Sequence, residues 1–199
     1  EESEFEPVAK RFNLRYKKYL LFTSSIEPRK NLGRLLDAYN HYRESVGVDA
    51  LPLVLSGIAG WGTVAIHNRL KKLQQQGMVS YLGYVEQALM PGLVAGAKAL
   101  LYPSIYEGFG LPVLEAIQSG TLVMTSRDSP MAEICGDAAV FVNPLHINDL
   151  VTGIIAVSEN SEATDSFIQN GIDRAKGYSW NHCATLTLNA YKKVVLNIF

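Results

Sequence analysis

The sequence predicts an α/β fold, a Rossmann-like parallel sheet with helices on both faces. Three observations predict it. Short apolar runs alternate with stretches of helical periodicity over residues 19–157, the pattern that strand–helix–strand units leave in a chain. Lys30, Gly57, Gly83 and Glu107 each follow directly on an apolar run, at the rim where parallel sheets bind their ligands. Hydrophobic residues make up 48% and charged residues 19% of the 199, enough apolar material for a sizeable core in one domain. A net charge of −1 gives no footprint for nucleic acid. Two cysteines, Cys135 and Cys183, are too few for a disulfide framework, so a reducing, cytoplasmic setting is expected. No signal peptide or membrane-spanning apolar run is present, which points to a non-secreted, non-spanning protein.

Residues 1–18 divide into an acidic head (Glu1, Glu2, Glu4, Glu6) and a basic part (Lys10, Arg11, Arg15, Lys17, Lys18) that also carries Phe12, Leu14 and Tyr16. They are expected to be a linker, the remnant of an interdomain connection in a longer protein; contact of the basic part with an anionic membrane surface is the alternative. The folded domain is expected over 19–199. Residues 19–24 read as the first strand, and Leu32, Leu35, Leu36 and Tyr39 then share one helical face with Asn31 as its N-cap. The intervening turn carries Arg29 and Lys30, two cations able to neutralise a leaving diphosphate, or simply solvated. Residues 51–55 form a second strand, followed by a loop with Gly57, Gly60 and Gly62. That glycine order is wrong for a dinucleotide fingerprint, and no Gly-Lys-Ser/Thr follows, which excludes a P-loop. Gly57 either lines a ligand cleft or merely connects. Residues 63–76 read as a surface helix with Ile66, Leu70 and Leu73 inward, closed by Gly77. A third strand over 78–82 leads to Gly83-Tyr84-Val85, and a short helix over 86–96 turns Leu89, Leu93 and Val94 to the core.

The fourth strand, within 97–102, ends at Pro103, and Leu111-Pro112 opens a helix, a place that suits proline because its missing N–H has no partner there. Between them lies Ser104-Ile105-Tyr106-Glu107-Gly108-Phe109-Gly110. Its glycines let a ligand approach the backbone, and the helix start favours an anion such as a phosphate. A carboxylate beside a diphosphate is electrostatically wasteful, so Glu107 and Glu115 read as acceptors for hydroxyls. Diphosphate plus hydroxyls suggests a nucleotide-activated sugar. Further on come a fifth strand over 121–125, a helix capped by Ser129 with Pro130 at its first position, and a sixth strand within 136–144. Helices over 149–157 and 163–176 follow, then a last helix over 179–198 capped by Ser179. Its Leu186, Tyr191, Val194 and Val195 stand at helical spacing, and Val194-Val195-Leu196 is expected to be exposed.

Glu107 and Glu115, with seven residues between them including Gly108-Phe109-Gly110-Leu111-Pro112, resemble the signature of the group 1 (family 4) glycosyltransferases, retaining enzymes of the two-domain GT-B fold. Lys30-Asn31-Leu32, Tyr81-Leu82-Gly83-Tyr84-Val85, Gly136-Asp137-Ala138-Ala139 and Ser179-Trp180 add to the likeness, which runs from about residue 19 to 191 and matches the C-terminal, donor-binding half. The resemblance implies that Glu107 contacts the donor sugar, Glu115 holds the ribose, and Lys30 offsets leaving-phosphate charge. It implies that backbone amides of Gly108, Phe109, Gly110 and Leu111 meet sugar and diphosphate, that Tyr84 and Val85 lie under the base, and that Gly57 borders the cleft. The arginine that many members place five residues before the lysine falls here at Ser25, so whether Arg29 takes its role stays open. The terminal helix of such enzymes commonly packs across the domain junction.

The function so implied is transfer of a hexose, mannose- or glucose-type, from a GDP- or UDP-linked donor to an acceptor held by an N-terminal domain. Polysaccharide or glycoconjugate synthesis in the cytoplasm is the expected setting, with peripheral association at the inner face of a membrane as an option, and the 199 residues alone are expected to bind donor weakly and transfer little. No cofactor is expected: Cys-x-x-Cys, His-Glu-x-x-His and Asp-x-Asp patterns are missing, and His41, His67, His146 and His182 are scattered. A nucleotide-sugar epimerase of the same architecture and a non-catalytic nucleotide-binding module are the alternatives.

Overall fold

The computed structural model describes residues 2–58, 60–61 and 64–196. Ala59, Gly62 and Thr63 of the glycine-containing loop and residues 197–198 of the expected last helix lie outside the described residues. The strands are β1 (Leu20–Thr23), β2 (Leu53–Ser56), β3 (Val79–Gly83), β4 (Ala99–Tyr102), β5 (Leu122–Ser126) and β6 (Val140–Val142). The helices are α1 (Glu2–Phe12), α2 (Leu32–Val46), α3 (Val64–Gln75), α4 (Met90–Ala95), α5 (Leu111–Gln118), α6 (Pro130–Cys135), α7 (Ile147–Ser158), α8 (Glu162–Ala175) and α9 (Trp180–Leu196). The α/β expectation holds, with each strand close to its expected place.

All strand pairs are parallel, in the order β3-β2-β1-β4-β5-β6. Each strand is a continuous apolar run because the sheet is covered on both sides. Side chains alternate between the two layers. Leu20, Phe22, Leu53, Leu55, Leu101 and Met124 pack with α2, α3 and α7; Leu21, Val54, Leu100 and Val123 pack with α1, α4, α5 and α6. β1 sits mid-sheet, flanked by β2 and β4. The order of connection reverses there, which opens a crevice at the carboxyl ends of β1 and β4, the usual ligand position in such sheets.

Two expectations change. Residues 2–12, read as part of a linker, form a docked helix. Phe5 and Val8 are buried, and Phe5 lies 6.3 Å from the Tyr19 ring, so the helix is part of the core. Burying two such side chains stabilises the docked state by about 1.5–3 kcal/mol each. The docking depends on α4 and its end being bare: a Cβ on Gly92 would stand 2.2 Å from the Glu4 carbonyl oxygen, and one on Gly96 2.2 Å from the Phe5 ring. Asn31 is the second change. It occupies the N-cap place of α2 but with φ 63°, and its side chain makes no cap bond. Its amide instead donates to the Pro103 carbonyl (3.1 Å) and the Pro144 carbonyl (2.6 Å), tying together the loops that leave β4 and β6. Ser129, Ser161 and Ser179 do cap, accepting from Ala132, Thr164 and His182 amides.

α9 stands apart from the core. Leu186, Leu188, Tyr191, Val194 and Val195 are all more than half exposed, as expected for the last of these. Among the described residues no helix is long and apolar enough to cross a membrane.

Candidate active site

β1 and β4 are neighbours, so the turns leaving them face each other across the crevice. After β1, Pro28–Lys30 winds into a single 3-10 turn, with proline fixing its first φ. The Ile105 amide donates to the Arg29 carbonyl at 2.8 Å, which locks this turn to the loop after β4. The lock brings Lys30 beneath Glu107, both nearly buried. Lys30 Nζ donates to Glu107 Oε1 at 2.5 Å and to the Tyr102 hydroxyl at 2.6 Å. Tyr102 in turn donates to the same carboxylate oxygen (3.1 Å), as does Ser104 Oγ (2.9 Å). Arg29 Nη1 donates to Glu107 Oε2 at 2.7 Å, while its Nε is held by Glu27 Oε2 at 2.8 Å. Ser25, at the position of the missing family arginine, donates to Glu27 Oε1 at 2.6 Å. Two cations and two carboxylates thus form one connected cluster.

The charges set the proton affinities. Burial by itself raises a carboxyl, but the hydrogen bonds from Lys30 and Ser104 and the Lys30 charge outweigh it and hold Glu107 below its ordinary value. Burial likewise opposes the Arg29 charge, and the pairing with Glu107 and Glu27 overcomes it and raises that group. Glu107 is therefore a firmly ionised acceptor, unsuited to giving up a proton near neutrality.

Glu115 is its opposite. It lies one turn into α5, and among the described residues its carboxylate has no hydrogen bond or ion pair. Its side chain reaches the surface, yet the groove walls remove enough water to push its carboxyl up. On one side it borders a groove of about 490 Å³ with Phe109, Leu111, Tyr178 and Trp180, and on the other a smaller one of about 310 Å³ with Gln87, Met90 and Pro91. Phe109 meets Tyr178 edge-on at 6.2 Å and remains 43% exposed. Gly110 carries φ 118° at the N-cap of α5, and the Val113 and Leu114 amides fold back to its carbonyl. The amides of Gly108, Phe109, Gly110 and Leu111 donate to no protein acceptor among the described residues. Four N–H groups beside a helix start are thus left available to an acceptor, the kind of group that anions use.

The remaining expected residues divide. Tyr84 is 71% exposed on the rim and Val85 is buried in the core, so Val85 can offer a ligand only its backbone. Gly57 has a structural task. Its φ is 141°, a Cβ there would stand 1.8 Å from the Ser24 carbonyl oxygen, and its amide already donates to the Gly83 carbonyl. Glu27, Tyr102 and Ser104 join the cluster without having been singled out in the sequence. The signal for Tyr102 was a hydroxyl at the tip of an otherwise apolar buried strand. Among the described residues no group of three or more His, Cys, Asp or Glu is placed to hold a metal ion.

The family model described as "Glycosyl transferases group 1" matches residues 6–174. The chain is 35% identical over 190 residues to the O-antigen chain mannosyltransferase B of Escherichia coli, covering 96% of this chain and 50% of that protein. It is 30% identical over 113 residues to the MMP alpha-(1->4)-mannosyltransferase of Mycolicibacterium hassiacum, covering 55% of this chain and 28% of the relative. The chain thus spans about half the length, or less, of these curated relatives. In structure it superposes on the sucrose-phosphate synthase of Thermosynechococcus elongatus with a TM-score of 0.77 at 20% identity, covering 95% of this chain and 48% of that one. The fold is that of a C-terminal GT-B half, and with the family model matched over most of its length the chain belongs to the group 1 glycosyl transferases.

Proposed function

We propose that this chain is the donor-binding domain of a retaining, family 4 type glycosyltransferase that moves a hexose from a nucleoside diphosphate donor to an acceptor. One observation carries the reading: a buried lysine and a partly exposed arginine converge on Glu107 at the β1–β4 crevice. The cradle of free amides and the unpaired Glu115 belong to the same loop and helix. When the bond from sugar to diphosphate breaks, negative charge grows on the departing phosphate oxygens. Lys30 and Arg29 supply the compensating charge from fixed positions, where little reorganisation is needed. Glu107 holds those cations in place and keeps one acceptor site on Oε2 for a hydroxyl of the sugar. Glu115 accepts from the ribose hydroxyls, and the amides of residues 108–111 cradle the diphosphate. No metal is assigned a role. Acceptor recognition falls to a further domain, which the half-length match to the relatives supports. Mannose is the first sugar to test, because several relatives carry mannosyltransferase names.

The test uses the full-length protein with GDP-mannose, UDP-glucose and a lipid-linked oligosaccharide acceptor. Transfer with the anomeric configuration kept, and a loss of about 100-fold or more on Lys30→Ala, is expected. An inverted product, or unimpaired transfer by the lysine variant, would contradict the reading.

A further inference from the structure

Tyr102 ends β4 with its side chain 1% exposed, after three wholly apolar buried residues. Phenylalanine would close such a strand without taking a hydroxyl out of water, which costs free energy unless the group is hydrogen-bonded. Here both capacities of the hydroxyl are used within the cluster. Its oxygen accepts from Lys30 Nζ at 2.6 Å, and its proton goes to Glu107 Oε1 at 3.1 Å. The strand end is itself fixed, since the Tyr102 carbonyl accepts from Thr125 Oγ1 at 2.9 Å on the neighbouring strand. The Lys30 ammonium also lies 5.1 Å from the centre of the Tyr102 ring.

An ammonium has three N–H donors on a freely rotating stem. One goes to Glu107 and a second to Tyr102, so two bonds hold the rotation about Cε–Nζ and the third N–H keeps a single direction. We infer that Tyr102 is a positioning residue that orients the Lys30 ammonium towards the donor diphosphate, an inference that rests on the donor-binding reading above. Its role is exerted through Lys30 and requires no contact with the donor. Burial, reinforced by the Glu107 charge, raises the phenol well above its ordinary value, so it stays a neutral donor and acceptor across the working pH range.

Calorimetric titration of the chain with UDP, UMP, GDP and GMP tests this on the parent, Tyr102→Phe and Lys30→Met. The preference for a diphosphate over its monophosphate reports Lys30, and Lys30→Met should reduce it most. Tyr102→Phe keeps the ring and the core packing, so it should still fold, with a melting temperature lowered by only a few degrees, while the diphosphate preference falls by about 10-fold or more, the loss of one hydrogen bond to a charged group. Equal weakening of diphosphate and monophosphate, the mark of a merely structural role, would overturn the inference, as would an unchanged preference. Failure of the parent to bind either diphosphate would instead overturn the donor reading itself. An unchanged preference in Lys30→Met would overturn the inference too, since Tyr102 acts through Lys30.

Discussion

Glu107 and Glu115 stand eight positions apart, yet their surroundings drive their proton affinities in opposite directions. The signs make separable predictions. A raised Glu115 takes up its proton first as pH falls, and a protonated carboxyl is a poorer acceptor for ribose hydroxyls. Nucleotide affinity should therefore fall on mild acidification, beginning above the ordinary glutamate value of about 4.3, and Glu115→Gln should flatten that part of the pH profile. Glu107 acts in the other direction. Its depressed value means that its stabilisation is fully present above the unfolded-state value and is lost as pH falls through the folded one. Glu107→Gln should lower stability at neutral pH and remove that acid-side loss, as urea denaturation at a series of pH values would read. Removing Lys30 leaves Glu107 with Arg29 and Ser104 still attached. Lys30→Met is accordingly expected to destabilise by about 2–3 kcal/mol, less than breaking a buried pair with no other support.

Two glycine positions carry predictions about whole elements. Gly110 starts α5 at φ 118°, and a Cβ there would lie 2.6 Å from Met131 Cγ. Gly110→Ala should cost about 1–3 kcal/mol and weaken nucleotide binding by shifting the amide cradle, which paired melting and titration would measure. Gly92→Ala attacks α1 by pushing against the Glu4 backbone. Its expected effect is faster proteolysis within residues 2–12 with nucleotide affinity unchanged, because α1 lies on the sheet face and not at the crevice. These elements also mark what was legible in the sequence. The strands could be read because a sheet covered on both faces needs continuous apolar runs, and the loop from Glu107 to Pro112 because glycine and proline have positional meanings. α1 could not, because charge dominates its sequence and, of its apolar side chains, Phe5 and Val8 are buried while Ala9 and Phe12 pack against the core only in part. The roles of Tyr102 and Asn31 depend on partners 72 residues away, so no local pattern encodes them. Arg29 was left open, and its link to Glu107 spans 78 residues.

At the scale of the molecule, one parallel sheet brings the ends of β1 and β4 together, and each supplies half of a charge cluster. The chain spans about half of its Escherichia coli relative, and α9 holds a row of apolar side chains off the core. The function proposed above assigns donor binding to this domain and acceptor binding to a further one. The central claim is a donor site centred on Glu107, Glu115 and the amides between them. Calorimetric titration of the chain with UDP and GDP, in the parent and in Glu115→Ala, tests it most directly. Selective binding of one nucleotide, weakened about tenfold or more in the variant, is the predicted result. Equal affinity in both proteins, or no binding of either nucleotide at millimolar concentration, would contradict it.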